Sequence, residues 1–121
     1  MKIIDQDRHV FYQILSTIYQ TNGIDPKIAE VGVLKGNNAE NMYNFLKPKK
    51  MFLIDSWSAD KGIETAAAVA HRSWSANYLG DYDWYYGGPI DEQKTYDDIY
   101  KEAQSKFLGR DNVEFIRADS L

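Results

Sequence analysis

Ile28-Ala29-Glu30-Val31-Gly32-Val33-Leu34-Lys35-Gly36-Asn37 is the stretch that decides how this chain is read. Apolar residues run into an acid, a glycine, three further residues and a second glycine. Ile28, Ala29, Val31 and Val33 do not alternate cleanly with polar residues, which predicts a short strand over Lys27–Val33 of the kind covered on both faces. Gly32 lets the chain turn sharply off that strand, and Gly36 lets a ligand approach the backbone closely. Asn37 or Asn38 can cap the helix that follows. The helix N-terminus then offers N–H groups and a positive dipole end to a carboxylate or phosphate. A tight strand–helix turn with no ligand is the competing reading. The dinucleotide fingerprint is excluded, because Leu34 stands where its second glycine belongs. A P-loop is excluded as well, since no Gly-Lys-Ser/Thr follows.

Upstream, Val10, Phe11, Ile14, Leu15 and Ile18 recur at helical spacing. They predict an amphipathic helix over Asp5–Gln20. Gly23 suits the left-handed conformation that ends it, and Asp25-Pro26 makes a turn. Downstream, the second helix runs to about Leu46, with Met42, Phe45 and Leu46 inward, and Pro48 stops it. Lys50–Asp55 is a second strand, a continuous apolar run closed by an acid. Asp91–Leu108 is a helix with Tyr96, Ile99, Tyr100, Ala103 and Phe107 on one side, and Gly109 caps it. Val113–Ala118 is a third strand.

Strands alternating with helices imply a parallel sheet with right-handed crossovers. The expected fold is therefore α/β: a Rossmann-like three-layer sandwich half-domain, with three parallel strands in the order 3-2-1 and flanking helices, truncated after the third strand. Its parts are an N-terminal helix (1–22), a β-α-β unit with the glycine loop (27–55), an aromatic-rich insertion (56–90), and a helix with the third strand (91–121). Glu64–Ala76 reads as a short helix inside the insertion. The insertion's aromatics read either as a substrate lid or as packing of the loop onto the helices.

The composition narrows the partners. The 121 residues carry a net charge of -4, with acids and bases interspersed, which argues against nucleic acid. Lys47, Lys49 and Lys50 form the nearest thing to a basic cluster and read as a solvated turn. With no cysteine, disulfides, thiolate metal sites and a cysteine nucleophile are excluded. The charged N-terminus is not a signal peptide, and no apolar run approaches the roughly 20 residues of a membrane span. A cytoplasmic protein with no membrane partner is the expectation.

Two further acids end strands. Asp55 closes the second strand beside the glycine loop, where a carboxylate can accept bonds from both hydroxyls of a ribose or can serve as an ordinary cap. Asp119 and Ser120 follow the third strand, where they can bond an adenine or simply cap a helix.

Taken in order, Glu30-Val-Gly32-Val-Leu-Lys-Gly36, then Phe52-Leu-Ile-Asp55-Ser-Trp57, then Asn112-Val-Glu-Phe-Ile-Arg-Ala-Asp119-Ser120 resemble the class I S-adenosylmethionine-dependent methyltransferases. Within these the chain is most similar to the small-molecule O-methyltransferase group that includes macrocin O-methyltransferase. The resemblance implies S-adenosyl-L-methionine as cofactor and a small-molecule methyl acceptor. It places Glu30, Gly32 and Gly36 along the methionine and ribose, Asp55 on the ribose hydroxyls, and Asp119 and Ser120 at the adenine. Ser56 and Trp57 would flank the purine, with Trp57 either packing on it or belonging to the core. A complete family member has seven strands, and its fourth carries an Asp-rich segment for metal and substrate. No counterpart of that segment is present, so a divalent metal is a matter for a longer enzyme and no catalytic residue is assigned. His9 and His71 read as unremarkable. The first strand, left with an open edge, is expected to pair with a second copy or a partner chain.

Overall fold

A computed structural model describes residues 2–61 and 86–119. The elements run α1 (Lys2–Thr21), β1 (Lys27–Val31), α2 (Asn37–Leu46), β2 (Lys50–Asp55), α3 (Gln93–Ser105) and β3 (Val113–Arg117). The three strands form one parallel sheet with β2 between β1 and β3. Ile28 pairs with Met51 and Val31 with Ile54, while Leu53 pairs with Phe115 and Asp55 with Arg117. This register brings Gly32, Asp55 and Arg117 to one end of the sheet. The expected Glu64–Ala76 helix, the aromatics between it and Tyr86, His71 and Ser120 lie outside the described residues.

One face of the sheet carries the core. Ile28, Met51, Leu53, Val113 and Phe115 point to it; α2 and α3 cover them with Ala39, Leu46, Tyr96, Ile99 and Ala103, and Phe107 in the turn after α3 joins them. α2 lies in the middle of the helical layer. Its Phe45 meets His9 and Tyr12 of α1 on one side, and its Tyr43 packs edge-on to Phe107 on the other. Gly36 makes the junction with α3 close, because a Cβ placed there would already stand 3.5 Å from Ala103.

Several expectations are corrected. The first strand ends at Val31 rather than Val33, because Gly32 at φ 83° turns the chain out of the sheet. It is covered on one face only: Ile28 and Glu30 are half-buried, whereas Lys27, Ala29 and Val31 are exposed. Among the described residues the helices lie on a single side of the sheet, so these residues build two layers, where three were expected. Gly36, not Asn37 or Asn38, occupies the N-cap position of α2, and no side chain caps the helix.

The largest correction concerns α1. Of the apolar stripe Val10, Phe11, Ile14, Leu15 and Ile18 that marked the helix, only Leu15 is half-buried; the other four side chains are roughly half exposed. The helix docks through its other face, with Tyr12 buried and Leu15 and Tyr19 half-buried. At 100° per residue these two faces are separated by well over a right angle, so α1 carries two apolar faces and uses one. Urea unfolding tests this placement: Leu53→Ala should cost about 2–5 kcal/mol, and Ile14→Ala should stay within about 0.5 kcal/mol. An Ile14→Ala cost equal to that of Leu53→Ala would mean that the stripe is covered in solution.

Candidate functional site

The loop leaving β1 is built from left-handed residues. Gly32 and Gly36 both have φ 83°, and between them Leu34 has φ 53°. Glycine takes this conformation freely, but for leucine it is strained by about 1–3 kcal/mol and must be held from outside. Two side chains hold it. The Asp55 carboxylate Oδ2 accepts the backbone N–H of Val33 (2.8 Å) and of Leu34 (2.9 Å), and the Trp57 indole Nε1 donates to the Leu34 carbonyl (2.9 Å). Lys106 Nζ adds a bond to the Lys35 carbonyl (2.8 Å). The loop is thereby fastened to the end of β2 and to α3.

Asp55 therefore has a structural task of its own. Its Oδ1 also accepts the Trp57 N–H (3.0 Å), so the carboxylate already receives three backbone bonds. Of the two readings of Trp57 the core one holds: the residue is 1 % exposed and its ring packs tilted on Tyr100 at 4.5 Å, with Phe115 beyond, so it presents no face to a purine. Its backbone, left-handed at φ 42°, turns the indole back under the glycine loop. Gly36 is likewise buried against α3 and leaves no surface for a ligand. The Ser56 and Trp57 carbonyls accept from Arg117, which also pairs with Asp97. Hydrogen bonds from Arg117 and Gln93 hold the Asp97 carboxyl below its ordinary value. Asp119 is exposed, 3.8 Å from Lys61.

A cleft of about 650 Å³ opens beside β1, between α1 and the start of α2. From the expected set it brings together Glu30 and Gly32; Gly36, Asp55, Ser56, Trp57 and Asp119 do not line it. Its other polar walls come from residues the sequence reading passed over: Arg8 and His9 on α1, Lys35 in the loop, and Asn37, Asn38 and Asn41 on α2. One signal for them was present. Asn37, Asn38 and Asn41 cluster on the first turns of a helix whose other inward positions are apolar. Arg8 and His9 carried no such signal, because only the antiparallel return of α1 alongside β1 brings them here.

Glu30 is the carboxylate of the cleft. Burial is the main cause that pushes its carboxyl above the ordinary glutamate value; the Asn38 amide and Arg8 pull it back, and Asp55 adds a smaller upward push. Asn38 Nδ2 donates to Glu30 Oε2 at 2.6 Å. The uncapped start of α2 leaves a positive dipole end on the same wall, so the cleft offers both an acceptor for a cation and a seat for an anion. Among the described residues no group of three or more His, Cys, Asp or Glu could hold a metal ion, and no helix is long and apolar enough to cross a membrane.

No protein-family model matches the chain, and no curated protein or solved structure is significantly similar to it.

Two stability measurements test these assignments. Asp55→Ala strands the Val33 and Leu34 N–H groups and should cost roughly 2–4 kcal/mol in denaturant unfolding, given about 1–3 kcal/mol for each unsatisfied buried donor. A loss near zero would return Asp55 to a free surface carboxylate. For Glu30, a folded-state value above the unfolded one means that the folded chain binds its proton more tightly. Its ionisation therefore removes stability as pH rises from the unfolded value, about 4.3, through the raised folded value. Glu30→Gln should melt higher than the parent at about pH 7.5 and level with it at about pH 3.5. A variant less stable at the higher pH would contradict the burial of that charge.

Proposed function

We propose that this chain is the S-adenosyl-L-methionine-binding portion of a Rossmann-like class I methyltransferase that acts on a small molecule by O-methylation. The observation that carries the reading is the position of the cleft: it lies at the carboxyl end of β1, against the Gly32 turn and the uncapped start of α2. Ligands of open parallel sheets bind at that end of the strands, and a helix N-terminus suits the carboxylate of an amino-acid ligand.

On this reading the residues take the following roles. Glu30 and Gly32 border the methionine end together with Arg8, Asn37 and Asn38. Asp55 acts first as the loop's clamp, and a ribose hydroxyl would share its Oδ1 with the Trp57 N–H. Ser56 and Asp119 stand further along the same sheet edge, toward β3, where an adenosine would extend. In the reaction of such an enzyme a methyl group leaves the sulfonium sulfur for an acceptor oxygen, whose proton passes to a base; none of the described residues is assigned as that base. The protein's contribution is mainly positioning.

A second reading has its own observation. Among the described residues β1 is an edge strand with Val31 60 % exposed, and α1 leaves Val10, Phe11, Ile14 and Ile18 exposed. Both features fit a half-domain completed by further structure, in which case binding would need that partner. A non-catalytic module for an adenosine ligand shares the cleft with the first reading and differs from it only in lacking turnover.

Titration calorimetry with S-adenosylmethionine separates these readings, and paired glycine variants locate the site. Gly32 and Gly109 both have positive φ and open space where a Cβ would go, but only Gly32 lines the cleft. Gly→Ala at either position should cost about 1 kcal/mol of folding stability. Gly32→Ala should in addition weaken binding roughly tenfold or more, and Gly109→Ala should leave it unchanged. Equal effects of the two variants would move the ligand away from this cleft. Binding that appears only with an added partner chain would favour the second reading.

A further inference from the structure

Tyr12, Asn38 and Glu30 come from three different elements and form one hydrogen-bonded line. The Tyr12 hydroxyl, on α1, donates to Asn38 Oδ1 at 2.7 Å, and Asn38 Nδ2, on α2, donates to Glu30 Oε2, on β1, at 2.6 Å. The chemistry fixes the direction of this line. An ionised carboxylate can only accept, so the amide nitrogen must face Glu30 and the amide oxygen must face the one partner able to donate to it, the tyrosine hydroxyl. Tyr12 is itself held: its ring is buried, 8 % exposed, and packs on Phe45. Asn38 and Glu30 both line the cleft, whereas Tyr12 stands behind it.

We infer that Tyr12 and Asn38 are positioning residues for the cleft: Tyr12 locks the Asn38 amide, and the amide holds the Glu30 carboxylate ionised and aimed at the cationic end of the bound ligand. The inference rests on reading the cleft as the cofactor site, since S-adenosylmethionine carries both an ammonium and a sulfonium. A half-buried carboxylate with no donor beside it relieves its burial by taking up a proton, and would then lose its attraction for a cation. The Asn38 amide opposes that proton uptake, and Tyr12 prevents the amide from rotating away. The line also ties α1 to the site, because Tyr12 is a main anchor of that helix.

The charged and titratable groups around Glu30 are Arg8 on α1 and Asp55 at the end of β2, with His9 of α1 and Lys35 of the loop on the same cleft. A pH dependence of binding that comes from Glu30 is therefore read against these neighbours. Glu30→Gln is the control, since any dependence that comes from Glu30 disappears in that variant.

The experiment combines carboxyl-carbon NMR titration of Glu30 with calorimetric binding of S-adenosylmethionine across pH, in the parent chain, Asn38→Leu and Tyr12→Phe. Asn38→Leu should raise the Glu30 titration midpoint and weaken binding roughly tenfold on the acidic side of neutrality, with a smaller loss in alkaline buffer, as expected for one lost charge-assisted bond. Tyr12→Phe keeps the buried ring and should move both readouts in the same direction by a smaller amount. A merely structural role would lower stability without moving the midpoint. Intact binding with an unmoved midpoint in both variants overturns the inference alone. Absence of binding by the parent chain at every pH overturns the cofactor reading and this inference with it.

Discussion

The Asp55 carboxylate is the constraint on which the rest of the site depends. Three backbone N–H groups, from Val33, Leu34 and Trp57, converge on its two oxygens. The bonds cross from the end of β2 to the loop after β1, so they fix how the two strand ends stand relative to each other. They also hold Leu34 in a left-handed conformation that a leucine would leave if it were free. With Leu34 held, its carbonyl faces the Trp57 indole, Gly36 comes close against α3, and α2 starts where its uncapped end borders the cleft. Much of the apparatus at the carboxyl end of the sheet therefore serves to shape one loop, and the cleft lies on the side of that loop facing α1.

This division of labour explains which parts of the site could be read from sequence. β2 was legible in full, because Met51-Phe52-Leu53-Ile54 is a continuous apolar run bounded by Pro48 and an acid. The glycine loop was legible because its turns need positive φ. What an acid accepts from is not written in its neighbours: Asp55 reads equally well as a ligand for ribose hydroxyls or as a clamp for backbone N–H groups, and only the fold shows the second. Trp57 was ambiguous for a related reason. An aromatic after a strand can point outward to a base or inward to the core, and the left-handed backbone at that residue turns it inward.

The first helix shows a different limit. Helical periodicity detects an apolar stripe but not which of two stripes is buried. Val10, Phe11, Ile14 and Ile18 are the more hydrophobic set, yet Tyr12 makes the docking contact, because its hydroxyl can reach Asn38 while its ring packs on Phe45. A tyrosine between Phe11 and Gln13 counts for little in a pattern search, and here it is the residue that joins α1 to the cleft. The stripe that periodicity marks most strongly is thus left largely exposed among the described residues.

On the proposed reading, a ligand with an amino-acid end and an adenosine end binds over the Gly32 turn. Backbone NMR of the chain, titrated with S-adenosylmethionine, addresses this most directly, because each amide reports separately. The account predicts saturable shifts concentrated at Glu30, Gly32, Asn37 and Asn38, with smaller shifts at Ser56 and Asp119 and none at Arg110 or Asn112 at the far end of the sheet. Shifts absent from the Gly32 turn, or spread evenly over the chain, would contradict it.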